Sequence, residues 1–465
     1  MIDVLVRNGT VVTPDASFPA DIAVTGERIA AVGQPGSFSG ARQELDARGK
    51  LVLPGLIDAH VHLSHPFKGQ PSDDDFYTGT VAAAHGGTTS IVEFAIQWDK
   101  SQLLPEIIAT RRRLAEGEVV VDFGFHGTPT KPGDETVASV AEAIKLGVTS
   151  FKVYMVYRNQ GRMADDALLL ALIQEATARD GLMMVHAENC PISEANEAAY
   201  VAQGKKAAAY FPLAKGNLVE AEAVHRALYL NRLACGRLFI AHLSTREGLE
   251  SLREARGKGE LSFAETCPQY LALTDEVYAR PDGINFLCSP PIRSRADVDA
   301  MWKGVAEGVV SMVNSDHCGF GLKMKALGKG DFSQTPNGMP GVETRLPVMY
   351  TEGVLKNRIT VNRMAEVLST AQAKLFGLYP RKGALLPGSD ADITVLDPDR
   401  EGVITAAALH GAADWTPFEG MRARGFAAAT ILRGKIIVED GRLLAAKGSG
   451  RYLHRQPWAD MVPRV

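Results

Sequence analysis

The chain has 465 residues, 46 % of them hydrophobic and 22 % charged, with a net charge of −4. That is too long for one average domain and ample for a barrel core with a smaller companion, and the lack of a basic excess argues against a nucleic-acid partner. The opening Met1-Ile2-Asp3-Val4-Leu5-Val6-Arg7 is no signal peptide, and no apolar run approaches the ~18 residues of a membrane span, so a protein off the membrane is expected.

The first fifty residues read as short strands joined by tight turns. Val4-Leu5-Val6 and Thr10-Val11-Val12 flank Asn8-Gly9, a hairpin signal, and residues 21–24 and 28–32 flank Thr25-Gly26-Glu27. Strand-then-helix alternation follows, the mark of a parallel α/β fold. Eight β-rich runs end near His62, Phe94, His126, Lys152, His186, His242, Thr266 and Asp316, with amphipathic stretches such as 103–115 and 167–178 between them. Eight units predict a closed (β/α)8 TIM barrel, whose chemistry sits at the C-terminal ends of its strands. Residues 391–396 form a further strand. Ile431-Leu432-Arg433, Gly434 and Lys435-Ile436-Ile437-Val438 form a hairpin in the style of the N-terminus. Both termini together are expected to build a smaller β-sandwich. The expected division is 1–54 and 379–445 for the sandwich, 55–378 for the barrel, and 446–465 for a tail.

The residues at the strand ends are unusual. His60-Val61-His62 puts two imidazoles on one face, because strand side chains repeat every two residues. Lys152, His186, His242 and Asp316 each end another run, so four histidines, a lysine and an aspartate converge on one rim. Histidine nitrogen and carboxylate oxygen suit zinc and its neighbours. Each signal alone has an ordinary reading: an H-x-H pair occurs by chance, a strand-end histidine is often a core residue, and a lysine there usually snorkels. Their joint placement is what points to a metal site. The five cysteines (190, 235, 267, 288 and 318) are odd in number and scattered, which suits a reduced cytoplasmic protein.

Leu53-Pro54-Gly55-Leu56-Ile57-Asp58-Ala59-His60-Val61-His62 resembles the opening motif of the amidohydrolase superfamily. The likeness is strongest to its cyclic amidohydrolases, the hydantoinase and dihydropyrimidinase branch. Gly86-Gly87-Thr88-Thr89, Phe151-Lys152-Val153-Tyr154-Met155, Val185-His186-Ala187-Glu188-Asn189, Cys288-Ser289-Pro290-Pro291, Ser315-Asp316-His317-Cys318 and Pro336-Asn337-Gly338 extend it over nearly the whole chain. The resemblance implies a binuclear site: His60, His62 and Asp316 on one divalent ion, His186 and His242 on the other, and Lys152 carboxylated to a carbamate that bridges both. A carbamate suits a position where an ammonium would be repelled by two cations, and burial favours the neutral amine that forms it. Zinc fits the ligands, with manganese, cobalt or nickel as substitutes.

The resemblance further implies a small cyclic amide as substrate. Asp316 would act as general base and then acid, and Tyr157 as donor to the developing oxyanion. Ser289 and Asn337 would hold the ureide edge of the ring. His126 and His317 read as supporting residues, and Cys190 and Cys318 as bystanders. Ser64 stands where dihydroorotases carry an arginine for a substrate carboxylate, which argues against that activity and for a neutral ring. His65, where hydantoinases often have an apolar residue, with Phe67 and Trp98, is expected to shape the pocket. The alternatives are an allantoinase-like or cyclic-imide hydrolase, or a non-catalytic dihydropyrimidinase-like scaffold; the filled ligand positions disfavour the scaffold. Relatives suggest a homotetramer or dimer, with the tail as an inter-subunit arm.

Overall fold

The computed structural model describes residues 1–458. Its first sheet is a parallel barrel of Leu56–His62, Thr88–Ile96, Asp122–Thr128, Ser150–Tyr154, Leu182–His186, Arg237–Ile240, Leu261–Thr266 and a broken eighth strand, Met312–Val313 with His317–Cys318. The break is what closes the ring. Met312 and Val313 pair with Glu265 and Thr266, while His317 and Cys318 pair with Val61 and His62 on the first strand. Buried Arg345 ties the two edges by donating to Ile57 O (2.8 Å) and Val313 O (3.1 Å), and Ser315 N donates to Asp58 Oδ1 (3.2 Å). This is the (β/α)8 barrel expected from the eight strand-and-helix units.

Alternation along the strands sorts the side chains. Phe151 and Val153 join the apolar layer under the helices, as do Met183 and Val185. Lys152 and His186 occupy the alternate, inward positions, over an interior filled by Phe94, Met184, Phe239 and Met312. The two amphipathic stretches form the helices Leu104–Ala115 and Asp166–Ala178. Glu106 Oε2 accepts from Leu103 N at the start of the first, and Asp165 Oδ1 from Leu168 N at the start of the second.

The second sheet has nine strands drawn from both ends of the chain, eight hydrogen-bonded into one path with Gln43–Asp46 branching from Val4–Val12: Val4–Val12, Ser17–Thr25, Arg28–Gly33, Gln43–Asp46 and Leu51–Pro54 with Ile393–Val403, Arg422–Leu432, Lys435–Glu439 and Arg442–Leu443. Val6, Val11, Ile22, Val52, Ile393 and Ile431 share its core. The hairpins at 25–28 and 432–435 form as expected. Asn8-Gly9 does not turn the chain. Asn8 takes φ 60°, the register slips between Val6 and Gly9, and the strand continues to Val12. The two halves then pair with different parallel partners, Gln43–Asp46 and Leu51–Pro54. Gly9 is required by close approach: a Cβ there would lie 2.5 Å from Val52 Cγ2.

The tail docks on its own barrel as far as it is described. Leu453 N donates to Phe123 O (2.7 Å), Gln456 N to Gly377 O (2.9 Å), and buried Arg455 to Ser150 Oγ (2.8 Å). Residues 459–465 of the expected inter-subunit arm lie outside the described residues. No helix among the described residues is long and apolar enough to cross a membrane.

Candidate metal centre

The barrel brings all six strand-end residues together. His60, His62 and Asp316 offer ligand atoms that lie within 4.8 Å of one another. His60 Nε2 is 3.1 Å from Asp316 Oδ1, His62 Nε2 is 3.5 Å from the same oxygen, and Lys152 Nζ is 2.8 Å from His60 Nε2. The His242 ring centroid is 5.4 Å from that of His60 and 4.4 Å from that of His186. His242 and Asp316 both sit at positive φ, 38° and 51°, where each strand ends and the chain turns over the barrel mouth. Such strain in non-glycine residues needs support from the surrounding structure and clusters at functional sites.

The donor chemistry fits divalent ions. His60 Nδ1 is held by Glu265, which aims Nε2 at Lys152 and Asp316. A carboxylate behind a histidine is the arrangement that fixes a metal-binding imidazole. Glu265 is itself held by Asn314 Nδ2 (2.5 Å) and His242 N (3.2 Å). Burial lowers His62 to about 3 and His186 to about 4, so both are neutral donors at physiological pH. Burial opposes an imidazolium at His60 as well, but Glu265 and Asp316 outweigh it and raise its pKa. Burial alone would raise the Asp316 carboxyl; His60 and His62 hold it well below the usual range. Burial brings the Lys152 amine down to about 8, within reach of the neutral form.

The mouth of the barrel opens into a cavity of about 190 Å3 that includes His62, Lys152, His186, His242 and Asp316 in its wall. Tyr157, Ser289 and Asn337 line it too, as do His65 and Phe67. Tyr157 takes φ 69°, and its ring packs on His186 at 5.3 Å. Burial pushes its phenol up, so it remains a hydrogen-bond donor. Among the described residues Asn337 Oδ1 is buried without a partner, an acceptor in the wall. Ser64, at φ 47°, and Trp98, which is exposed, were expected in the pocket but are not among the residues lining it; Trp98 packs on His65 with ring centroids 5.5 Å apart. His126 spends both nitrogens on the barrel itself, one within 2.9 Å of Ala59 O and one 2.6 Å from Ser150 Oγ. His317 faces away, with Nε2 3.2 Å from Asp74 and Nδ1 accepting from Gly341 N.

Several residues of the site escaped the reading from sequence. Glu188 is fully buried, and its Oε2 accepts from His186 Nε2 (2.6 Å), Lys215 Nζ (3.1 Å) and Ser289 Oγ (2.6 Å). Burial would raise this carboxyl, but Lys215 and His186 hold it well below the carboxylate range. Lys215 also donates to Ser289 Oγ at 2.7 Å, so the serine hydroxyl is fully engaged. Buried Lys325 donates to Leu287 O (2.9 Å) and Pro336 O (2.8 Å), clamping the two loops that carry Ser289 and Asn337. Glu188 and Glu265 had a signal, a carboxylate within or just past an apolar strand. Lys215 and Lys325 had none: Lys215 caps the short helix Phe211–Ala214, Lys325 sits in the short helix Leu322–Ala326, and their partners are distant in sequence.

Comparison with known proteins agrees with this geometry. Residues 51–437 match the amidohydrolase family. A D-hydantoinase of Rhizobium radiobacter is 39 % identical, with 98 % of this chain and 100 % of the relative covered. A D-hydantoinase of Geobacillus stearothermophilus is 38 % identical, with 98 % of each chain covered. The crystal structure of dihydropyrimidinase from Brevibacillus agri NCHU1002 superposes with a TM-score of 0.95 at 38 % identity, over 98 % of this chain and 99 % of the other.

Proposed function

This chain belongs to the amidohydrolase family, and we propose that it hydrolyses the cyclic amide bond of hydantoins and 5,6-dihydropyrimidines to N-carbamoyl amino acids. One observation carries the reading: three histidines kept neutral by burial, His60 with its Glu265 support, Asp316 and a Lys152 amine brought down to about 8 converge beneath a cavity with a buried donor and an acceptor unpartnered among the described residues. The relatives named for hydantoins and dihydropyrimidines support the substrate class.

In this reading His60, His62 and Asp316 would hold one divalent ion and His186 and His242 another, zinc being the best match to nitrogen and carboxylate donors. Lys152, as N6-carboxylysine, would supply a further anionic ligand to them. Its neutral amine attacks carbon dioxide, forming an N–C bond and releasing a proton. Bound ions supply a polarised ring carbonyl and a water acidified toward neutral pH. The chain's own residues do the rest. Tyr157 donates to the carbonyl oxygen as it gains charge. Asp316 accepts the proton of the attacking water and returns it to the leaving ring nitrogen. Asn337 Oδ1 accepts from a ring N–H, and Ser289, its hydroxyl held by Lys215 and Glu188, presents its main chain. Five free cysteines, four of them buried, suit a reducing cytoplasm. Exposed Leu218, Tyr229 and Leu233 along the helix Asn217–Ala234 suit contact with further copies of the chain, as a homotetramer or dimer.

A turnover panel of hydantoin, dihydrouracil, allantoin and succinimide, with metal analysis, tests the reading. We expect ring opening of the first two, about two divalent ions per chain, and loss of activity on chelation. Full activity after metal removal, or no opening of either ring by metal-loaded protein, overturns it.

A further inference from the structure

Arg162 follows the short turn Arg158–Gln160 that comes after the fourth barrel strand, and it lines the same cavity as the metal-centre residues. It is 7 % exposed. Its guanidinium lies over the rings of Trp98 (5.1 Å), Tyr154 (4.9 Å) and Tyr157 (4.4 Å), so its plane is fixed on three sides by aromatic faces. Gln160 Oε1 accepts one N–H, and among the described residues the buried Nε has no partner. Among the described residues no carboxylate pairs with it. Every other cation in the wall is answered: Lys215 has Glu188, and Lys152 has Asp316 and Glu265 nearby. The acidic residues of the same wall are spoken for differently. Glu194 pairs with Arg158, and burial pushes the Glu197 carboxyl up.

A buried arginine without an anion is expensive, because guanidinium stays charged at any pH the protein meets. It persists where a ligand supplies the missing charge. Fork geometry makes arginine a bidentate partner for a carboxylate in particular. His65 lines the same wall and adds a polar contact to it.

We infer that Arg162 forms a carboxylate-binding subsite for the exocyclic substituent, and that the preferred substrates are cyclic ureides with an acidic side chain, such as 5-carboxyalkyl hydantoins. The inference rests on the ring-hydrolase reading above and narrows its substrate class. The position two residues after the H-x-H pair is Ser64, so the charge that would select an acid is supplied from another loop.

The test compares 5-(2-carboxyethyl)hydantoin with its neutral near-isostere 5-(2-carbamoylethyl)hydantoin in metal-loaded protein. The acid is expected to have a kcat/KM about tenfold or more above the amide, since a charge-assisted pair replaces a neutral one. Arg162→Gln should bring the ratio to about one, and Arg162→Glu should invert it while favouring a 5-(4-aminobutyl)hydantoin, a gain that misfolding cannot produce. Binding of the open forms gives a readout independent of turnover: N-carbamoylglutamate should bind about tenfold more tightly than N-carbamoylglutamine. Equal treatment of acid and amide by the wild-type protein, in turnover or in binding, overturns the subsite. Discrimination in binding with no ring opened would instead overturn the ring-hydrolase reading and leave the subsite standing.

Discussion

Glu188→Gln isolates what the buried carboxylate does for the metal centre. The substitution keeps shape and removes charge. Three donors now converge on Glu188 Oε2, from His186, Lys215 and Ser289. A neutral amide can still accept from one or two of them, but the Lys215 ammonium, itself buried, loses its only carboxylate partner among the described residues. Removing one member of a buried pair costs about 3–5 kcal/mol, and the retained hydrogen bonds put this case near the lower end. Lys215→Met should cost less than Glu188→Gln, and the double variant should recover part of the loss, a coupling of about 1 kcal/mol or more in a double-mutant cycle read by urea denaturation. The same carboxylate orients His186, so divalent-ion affinity should fall about 10- to 100-fold in Glu188→Gln. Additive effects in the cycle together with unchanged metal affinity would refute the reasoning.

Tyr157→Phe keeps the ring that packs on His186 and deletes the donor; kcat on hydantoin should fall about 100- to 1,000-fold with metal content unchanged, and a variant within about twofold of wild type would make Tyr157 a lid aromatic. Lys152→Ala should lose metal and activity, with partial return in the presence of small carboxylic acids, whereas Lys152→Arg should stay inactive because guanidinium forms no carbamate; an active arginine variant contradicts the bridge. Lys325 titrates at about 7 in the fold because it is buried, against about 10.5 when unfolded. Between these values the unfolded chain binds the extra proton, so stability falls as pH drops from about 10.5 to 7 and levels off below. Lys325→Met should remove that slope, a change of a few kcal/mol across the window, and it should also raise KM by loosening the loops of Ser289 and Asn337. A variant that keeps the wild-type slope would show that Lys325 is not the group responsible.

The strand-end histidines, Lys152 and Asp316 were legible in the sequence because the two-residue period of a strand decides which side chains face inward, and a closed barrel delivers every inward C-terminal residue to one rim. That rule needs only local order, and Lys152 and His186 obey it with apolar neighbours on the opposite face. The same local reading failed at Asn8-Gly9. A residue able to adopt positive φ serves a turn or a bulge equally well, and the choice was made by Gln43–Asp46 and Leu51–Pro54, which pair with the two halves of one uninterrupted strand. Tertiary structure alone decided the partners. Lys215 lies 27 residues from Glu188 and 74 from Ser289, and Glu265 is 205 from His60. Arg162 reads in sequence as one more loop cation; only folding shows that it is buried among Trp98, Tyr154 and Tyr157 with no anion beside it among the described residues. Whether a charge is answered depends on what the rest of the chain brings within a few ångströms, and no periodicity along the chain encodes that.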